Sequence, residues 1–529
     1  MKKNIINNKK AILKLVIVII AITHIYSCQD GHDYIFSESD IRKESNETKT
    51  FDNKSENMSD DIETDDEFNN SISSTLATNF TNTMYGVGSI LGSGTVWYYL
   101  EKSNKRDQFF NSGDDIRTRF TSFDAWRFDD NLFETNAVSH PMAGAGYFLS
   151  ARLNNYNQYE SFLFSLGGSL VWEYFCEFQE VVSINDMIFT PVGGYAIGES
   201  FFQLVNFYAD NSSNSSLGDT IQYYTKSQDG RYKNGLRNSQ GNNPFWYNAY
   251  LYGGYSQTDS EHYTTHFGLY TQFYGTRGVK ENGYYNKFLY NSPYTKIEID
   301  FGAGNTWLKD CYLFFESGHL SYVNQNLHNE KAGYAFIATL TTAFEYRNYY
   351  YQGFRDRIGA VSPVKLNTDF LFDYKDFSIN LELGLSPNFA QVSPFGLGLF
   401  YQDGYHSDYL REHGAHTTAN RGYYFGYGFS SKNSLTISYK KYQSGLSYNF
   451  DYYKSINTDG LTNREEPTNK NFKMKDERSV FSSWLKYDIT DAWSLVAKYY
   501  RNEIEGTVED YSRSDFERSI KLLTLYNFR

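Results

Sequence analysis

Beyond about residue 245 the chain alternates apolar and polar positions with a period of two. In Lys296-Ile297-Glu298-Ile299-Asp300-Phe301, the residues Ile297, Ile299 and Phe301 share one face, and Lys296, Glu298 and Asp300 the other. Ser378–Ser386 repeats the pattern, with Ile379, Leu381, Leu383 and Leu385 set against Ser378, Asn380, Glu382 and Ser386. Successive side chains of a strand point to opposite faces, so such a run needs one apolar and one polar environment. Similar runs occupy 245–254, 264–275, 307–316, 334–350, 364–374, 422–429, 434–442, 445–453, 479–487, 494–500 and 519–528. Turn-rich stretches such as Ser227-Gln228-Asp229-Gly230 and Asn457-Thr458-Asp459-Gly460 punctuate the region. The pattern predicts an antiparallel transmembrane β-barrel of about 12 strands (range about 10–14), since bacterial barrels use even numbers. A soluble β-sandwich is the competing arrangement, but it would not place an apolar face on nearly every strand.

Composition strengthens the barrel. The chain has 49 Tyr, 42 Phe and 7 Trp, with 40 Gly and only 8 Pro, yet its mean hydropathy is −0.58. A barrel hides its apolar content by alternating it with polar lumen residues, and aromatics at strand ends would form interfacial girdles. The last run, Lys521–Phe528, resembles the C-terminal signal read by barrel-assembly machinery, although a generic amphipathic edge strand would look similar. The expected location is the outer membrane, with its lipid and the assembly machinery as partners.

The N-terminus reads as an export signal. Lys2, Lys3, Lys9 and Lys10 precede an apolar run from Ala11 to Ile22 that is short for a membrane span. Ile25-Tyr26-Ser27-Cys28 resembles a lipobox, which makes 1–27 a lipoprotein signal peptide and Cys28 the acylated residue. Ordinary secretion with a bystander cysteine is the alternative. Residues 28–75 read as an acidic, unstructured tether: 14 acidic against four basic residues between 29 and 70 give −10, and five lysines before them give +5. Of the total −13, the body from residue 71 therefore keeps −8. That balance argues against nucleic acid as a partner, because phosphate binding needs a basic face.

Residues 76–210 change period and read as a helical module, ahead of a barrel over 211–529. Met84–Leu100 is Gly-rich and short. Met142–Arg152, Gln158–Phe178 and Val192–Tyr208 have helical spacing. Ser183 and Asp186 form a variant capping box, and Pro191 suggests a break or fresh start. Gly194 and Gly198 lie one turn apart, which suits close helix packing.

The ordered set Asp129-Asp130-Asn131, Asn136, His140-Pro141, Gly144, Tyr147, Ala151-Arg152, Trp172-Glu173, Glu177, Ser183-Ile184-Asn185-Asp186, Thr190-Pro191, Gly194 and Gly198-Glu199 resembles the bacterial domain of unknown function family 3943. The resemblance spans about residues 85–205. It implies an envelope protein whose helical module precedes a β-rich region, and it implies no reaction.

Glu173 and Glu177 stand i, i+4, so their charges repel unless a cation or a shared proton lies between them. Three arrangements fit. A buried network of Glu, Arg and His, with Arg152 and Glu199 in it, would pin the helices together. A hydrolase or acyl-transfer site would use His140 as general base, Ser183 as nucleophile and a Glu to orient the imidazole. A divalent-metal site would use Glu173, Glu177, Asp186 and His140. His406, His413 and His416 are a weaker zinc candidate against a solvated loop. Cys176 and Cys311 read as small buried hydrophobes. No cofactor is expected, since no nucleotide-binding glycine pattern appears in a credible context.

The expected function is structural or transport-related: a plugged or gated barrel, or an envelope-organising scaffold. The alternative is a lipid- or cell-wall-modifying hydrolase or acyltransferase with its site in the helical module. Residues 140–200 are expected to pack at the periplasmic end of the barrel, with His140, Arg152, Glu173 and Glu177 in mutual contact.

Overall fold

The computed structural model describes residues 65–101, 113–129, 131–178, 182–211, 246–259, 263–276, 278–290, 294–304, 310–328, 332–351, 354–393, 423–456, 473–509 and 511–528. Residues 1–27, read as a signal peptide, Cys28, His406, His413, His416 and the sequences at 227–230 and 457–460 lie outside these ranges. The chain divides into two compact units, residues 1–92 and 93–529, and helix α1 (Asp65–Glu101) runs through the division. The stretch expected to be unstructured as far as residue 75 is therefore already helical from Asp65. A run of acidic residues suits that end of a helix, where the backbone dipole is positive.

The second unit begins with the rest of α1 and α2 (Gly113–Thr121), then α3 (His140–Arg152), α4 (Gln158–Val171) and α5 (Asp186–Asn211). Two two-residue strands, β1 (Trp126–Arg127) and β2 (Val182–Ser183), pair in parallel and tie the segment before α3 to the segment before α5. A capping box starts α4: the Asn157 side chain accepts from the Tyr159 and Glu160 amides, and Glu160 accepts from the Asn157 amide. Helix α5 passes through Pro191 without the expected break, held by close packing along its length. A Cβ on Gly144 would lie 1.9 Å from the Thr190 carbonyl oxygen, and one on Gly194 would lie 2.5 Å from the Gly144 backbone. The α3–α5 crossing thus needs glycine at both positions.

Twelve strands close into an antiparallel barrel: β3 (Tyr247–Thr258), β4 (Tyr263–Tyr274), β6 (Tyr294–Ala303), β7 (Asp310–His328), β8 (Ala332–Tyr351), β9 (Phe354–Tyr374), β10 (Phe377–Ser393), β11 (Tyr424–Tyr439), β12 (Tyr442–Ser455), β13 (Met474–Asp488), β14 (Trp493–Val508) and β15 (Tyr511–Asn527). Sequence neighbours pair around the ring, and β15 closes on β3. The unanticipated β5 (Gly283–Tyr290) prolongs the line of β6 along the far half of β7 and stands off the ring. The runs at 422–429 and 434–442, read as separate, are one strand, β11, because the polar residues between them keep their pairing with β10.

Contacts between strands that are not neighbours identify the inside. Lys432 of β11 reaches Tyr312 of β7 at 3.1 Å, Arg347 of β8 reaches Asp451 of β12 at 2.7 Å, and Lys521 of β15 reaches Asp300 of β6 at 3.2 Å. The polar set is therefore the lumen face. The outward face shows Leu383, Leu385, Leu446, Leu485, Leu495 and Leu522, all exposed. At the end with short turns, exposed Tyr374, Tyr439, Tyr442, Tyr487, Trp493 and Tyr526 form an aromatic belt. The turn between β4 and β5 folds into the barrel at that same end. Val279 is fully buried there, and Lys280 pairs with Asp369 at 2.5 Å. Gln325 holds the turn through the Lys280 amide and the Gly278 and Glu281 carbonyls.

The helical module sits on the outer wall, neither in the lumen nor at the short-turn mouth. Phe128 and Phe189 pack on Phe389, Phe133 on Tyr346 and Tyr423, and Phe201 on Phe315. Phe389 shares its face of β10 with the outward Leu383 and Leu385. Ile297 and Phe344 belong to the same buried cluster. The physical reason is simple: the outward face of these strands is apolar, and each large side chain it buries contributes about 1.5–3 kcal/mol. The charged lumen offers no such surface.

Candidate functional site

The sequence-predicted acids gather where α2, the β1–β2 pair, α4 and the start of α5 meet. A π-helical turn, Trp172–Cys176, extends α4 and carries Glu173. Such turns insert an extra residue and re-aim side chains, often at functional sites. Here Glu173, Glu177 and Asp186 are all buried, and each offers an oxygen within 4.8 Å of the others. Asp129, quoted in the family resemblance but not singled out as a site residue, lies beside them.

Hydrogen bonds fix the rim of this centre. Glu173 Oε2 accepts from the Ser183 amide at 2.7 Å. The Ser183 hydroxyl donates to Asp129 Oδ2 at 3.0 Å and accepts from the Asp186 amide at 3.2 Å, which caps α5. Asn136 donates to Asp129 Oδ1 at 2.6 Å, the Asp129 amide to Asn185 Oδ1 at 3.1 Å, and Asn185 Nδ2 to Asp186 Oδ1 at 2.9 Å. Arg119 of α2, which no sequence pattern marked, donates to the main-chain carbonyls of Glu173 and Glu177. His140 Nε2 stands 3.2 Å from Asp186 Oδ2.

Two carboxylate oxygens remain without a hydrogen bond at zero exposure: Glu173 Oε1 and Asp186 Oδ2. Burial, reinforced by Glu177, holds the Glu173 carboxyl well above the usual carboxylate range. Burial and then Asp129 do the same to Asp186. Burial also lowers the Arg119 guanidinium from its ordinary value, opposed by Glu173 and its neighbours. The site favours neutral carboxyls or an added positive charge.

The single network expected from the sequence is two. Arg152 pairs bidentately with Glu199 of α5, at 2.7 and 3.0 Å, lies 4.2 Å from the Phe202 ring, and is joined by Gln203. It does not join Glu173. Gly194 and Gly198 lie at the helix crossing, Gly198 against the Phe148 ring. Ser183 is buried, with its hydroxyl used in both directions. Cys311 is buried, as read, whereas Cys176 is only half-buried.

Residues 125–224 match the family described as Domain of unknown function (DUF3943). No curated protein matches the chain. Solved structures similar to it include OmpT, an outer membrane protein of Vibrio cholerae (5% identity, TM-score 0.21, covering 54% of this chain and 98% of that one). The outer membrane channel DcaP of Acinetobacter baumannii (12%, 0.19, 54% and 97%) is another. A third is the translocator domain of the autotransporter NalP from Neisseria meningitidis (9%, 0.20, 59% and 98%). The chain is a closed antiparallel β-barrel protein whose residues 125–224, which include most of its helical module, are similar to that family.

Proposed function

We propose that this protein is a structural component of the outer membrane: a barrel closed by its own interior, carrying the helical module as a lateral domain on its lipid-facing wall. The observation that carries this reading is the lumen. Lys365–Glu316, Lys432–Glu345, Arg347–Asp451 and Arg478–Asp356 bridge it at 2.9, 2.8, 2.7 and 2.5 Å. The cavity among Lys296, Glu298, Glu316, Lys365, Glu382 and Lys432 measures about 60 Å³, room for a few waters. The inward turn around Val279 and Lys280 serves as the plug once expected of the helices.

The aromatic belt and exposed leucines support residence in the membrane. Exposed Leu132, Tyr159, Leu163 and Phe175 give the module an apolar outer side suited to the same setting. Planar-bilayer recording tests the reading: the purified protein should insert without sustained current. Steady porin-like conductance would overturn it and favour solute transport.

A further inference from the structure

We propose that the helical module binds a divalent cation through Glu173, Glu177 and Asp186. Three observations meet at this point. The first is geometric. Two oxygens on opposite sides of a Ca²⁺ about 2.4 Å away are about 4.8 Å apart, and the oxygens of these three residues all lie within 4.8 Å of one another.

The second is the unused bonding capacity. Glu173 Oε1 has no hydrogen-bond partner at zero exposure, and Asp186 Oδ2 has only the misaligned His140 contact. Buried acceptors are ordinarily satisfied. These two stand beside Glu173 Oε2, both Asp129 oxygens and Asp186 Oδ1, which are held by Ser183, Asn136 and Asn185.

The third is charge. Asp129, Glu173, Glu177 and Asp186 are four buried acids, and among the described residues Arg119 and His140 are the basic side chains placed against them. Arg119 Nη2 donates to the main-chain carbonyls of Glu173 and Glu177. A divalent ion would neutralise the excess and occupy the two leftover oxygens together. The donors are carboxylate oxygens, so the class of ion is hard: Ca²⁺, Mg²⁺ or Mn²⁺. The neighbouring Asp129, Ser183 and Asn185 would then act as the outer shell that orients the ligands.

The test uses the full-length protein without a histidine tag, in detergent micelles, stripped with EDTA and titrated separately with Ca²⁺, Mg²⁺ and Mn²⁺. Metal retained after gel filtration, the Mn²⁺ EPR spectrum and the unfolding temperature are read together. The expected result is one ion retained per chain, a broadened Mn²⁺ signal and a higher unfolding temperature. Glu177→Gln should weaken binding about tenfold or more, while the barrel still migrates anomalously in unheated SDS gels. Glu382→Gln, which alters a lumen carboxylate, should leave the affinity unchanged. An aqueous Mn²⁺ spectrum with no thermal shift in the wild-type protein would overturn the proposal. So would binding that survives Glu177→Gln in a folded barrel, or that is lost with Glu382→Gln. Bilayer conductance is indifferent to all three outcomes, so this inference and the closed-lumen reading fail separately.

Discussion

The barrel lumen and the acidic centre of the helical module both bury ionisable groups, and they neutralise them differently. In the lumen Glu316, Glu345, Asp356, Asp369 and Asp451 each stand against a lysine or arginine. Glu316 takes Lys365 at 2.9 Å with help from Thr341, and Arg478 takes Asp356 through two bonds. In the module, Arg152 and Glu199 repeat the lumen's solution, but in the centre around Glu173 and Asp186 the nearest basic side chain to a carboxylate is His140, and Glu173 Oε1 and Asp186 Oδ2 have no hydrogen bond. Burying charge is costly everywhere. Where a lysine or arginine stands against each acid, the pairs tie opposite strands of the barrel together. Where matching stops short, the structure holds a place for a proton or a cation.

The largest effect should come from breaking a matched pair. Glu316→Ala leaves Lys365 buried without its carboxylate, and removing one member of a buried pair costs about 3–5 kcal/mol. Urea unfolding followed by tryptophan fluorescence, alongside the boiled-versus-unboiled gel shift, measures it. A loss below about 1 kcal/mol, the range of a surface pair, would mean that water fills the lumen and that its pairs are solvated. The contrast with the module would then collapse.

Next comes the lipid-facing wall. Leu383→Arg, on the exposed outward face of β10, should cost about 2–4 kcal/mol in bilayers. Asn380→Arg should cost less, since Asn380 points inward and already touches Glu382. Equal losses would mean that the two faces have been misassigned.

Ile299 would be a misleading choice for that experiment, and the reason bears on what the sequence could tell. Its alternation with Glu298 and Asp300 correctly gives it an outward side chain. Yet it packs beneath the helical module, in the cluster with Ile297 and Phe315. Lipid tails and an apolar helix ask the same thing of a strand, so period-two alternation separates inside from outside but not bare wall from covered wall. The barrel and its approximate strand count were legible for that reason, and the lateral position of the helices was not. In the site, the four-residue spacing of Glu173 and Glu177 and the position of Asp186 were visible locally. Arg119 comes from 54 residues before Glu173, inside a short polar segment that reads as a solvated helix, and no local pattern joins the two. Arg152 was matched to Glu173 on the same grounds of proximity in sequence, whereas the fold gives it Glu199, 47 residues away.

A smaller loss should follow from parting the helices that frame the centre. Gly144→Val places a side chain against the Thr190 carbonyl, where even a Cβ would be 1.9 Å away, and overpacking of this kind costs about 1–3 kcal/mol. The contact lies at the α3–α5 crossing, so the loss should appear as earlier proteolysis of the helical segment while the barrel's gel shift persists. Simultaneous loss of both would show that module and barrel unfold as one.

The smallest effect, and the one that cuts most directly between the two regions, is expected from Glu173→Gln in protein stripped of divalent ions. Glutamine keeps the size of the side chain and an oxygen to accept the Ser183 amide, so packing and that bond survive. What disappears is one ionisable carboxyl beside Glu177, Asp129 and Asp186, and with it whatever fraction of negative charge it carries there. If the centre is over-charged, the substitution should change stability by less than about 1 kcal/mol and in the stabilising direction, because the repulsion it relieves offsets the weaker hydrogen bond. Glu316→Gln in the lumen removes an equally buried carboxylate but strands Lys365, so it should destabilise. The two variants, unfolded side by side in the same EDTA-containing buffer, should therefore move in opposite directions. If both lose about 3 kcal/mol, Glu173 is paired as tightly as Glu316, and the acidic centre is a second piece of filling with no vacancy to offer.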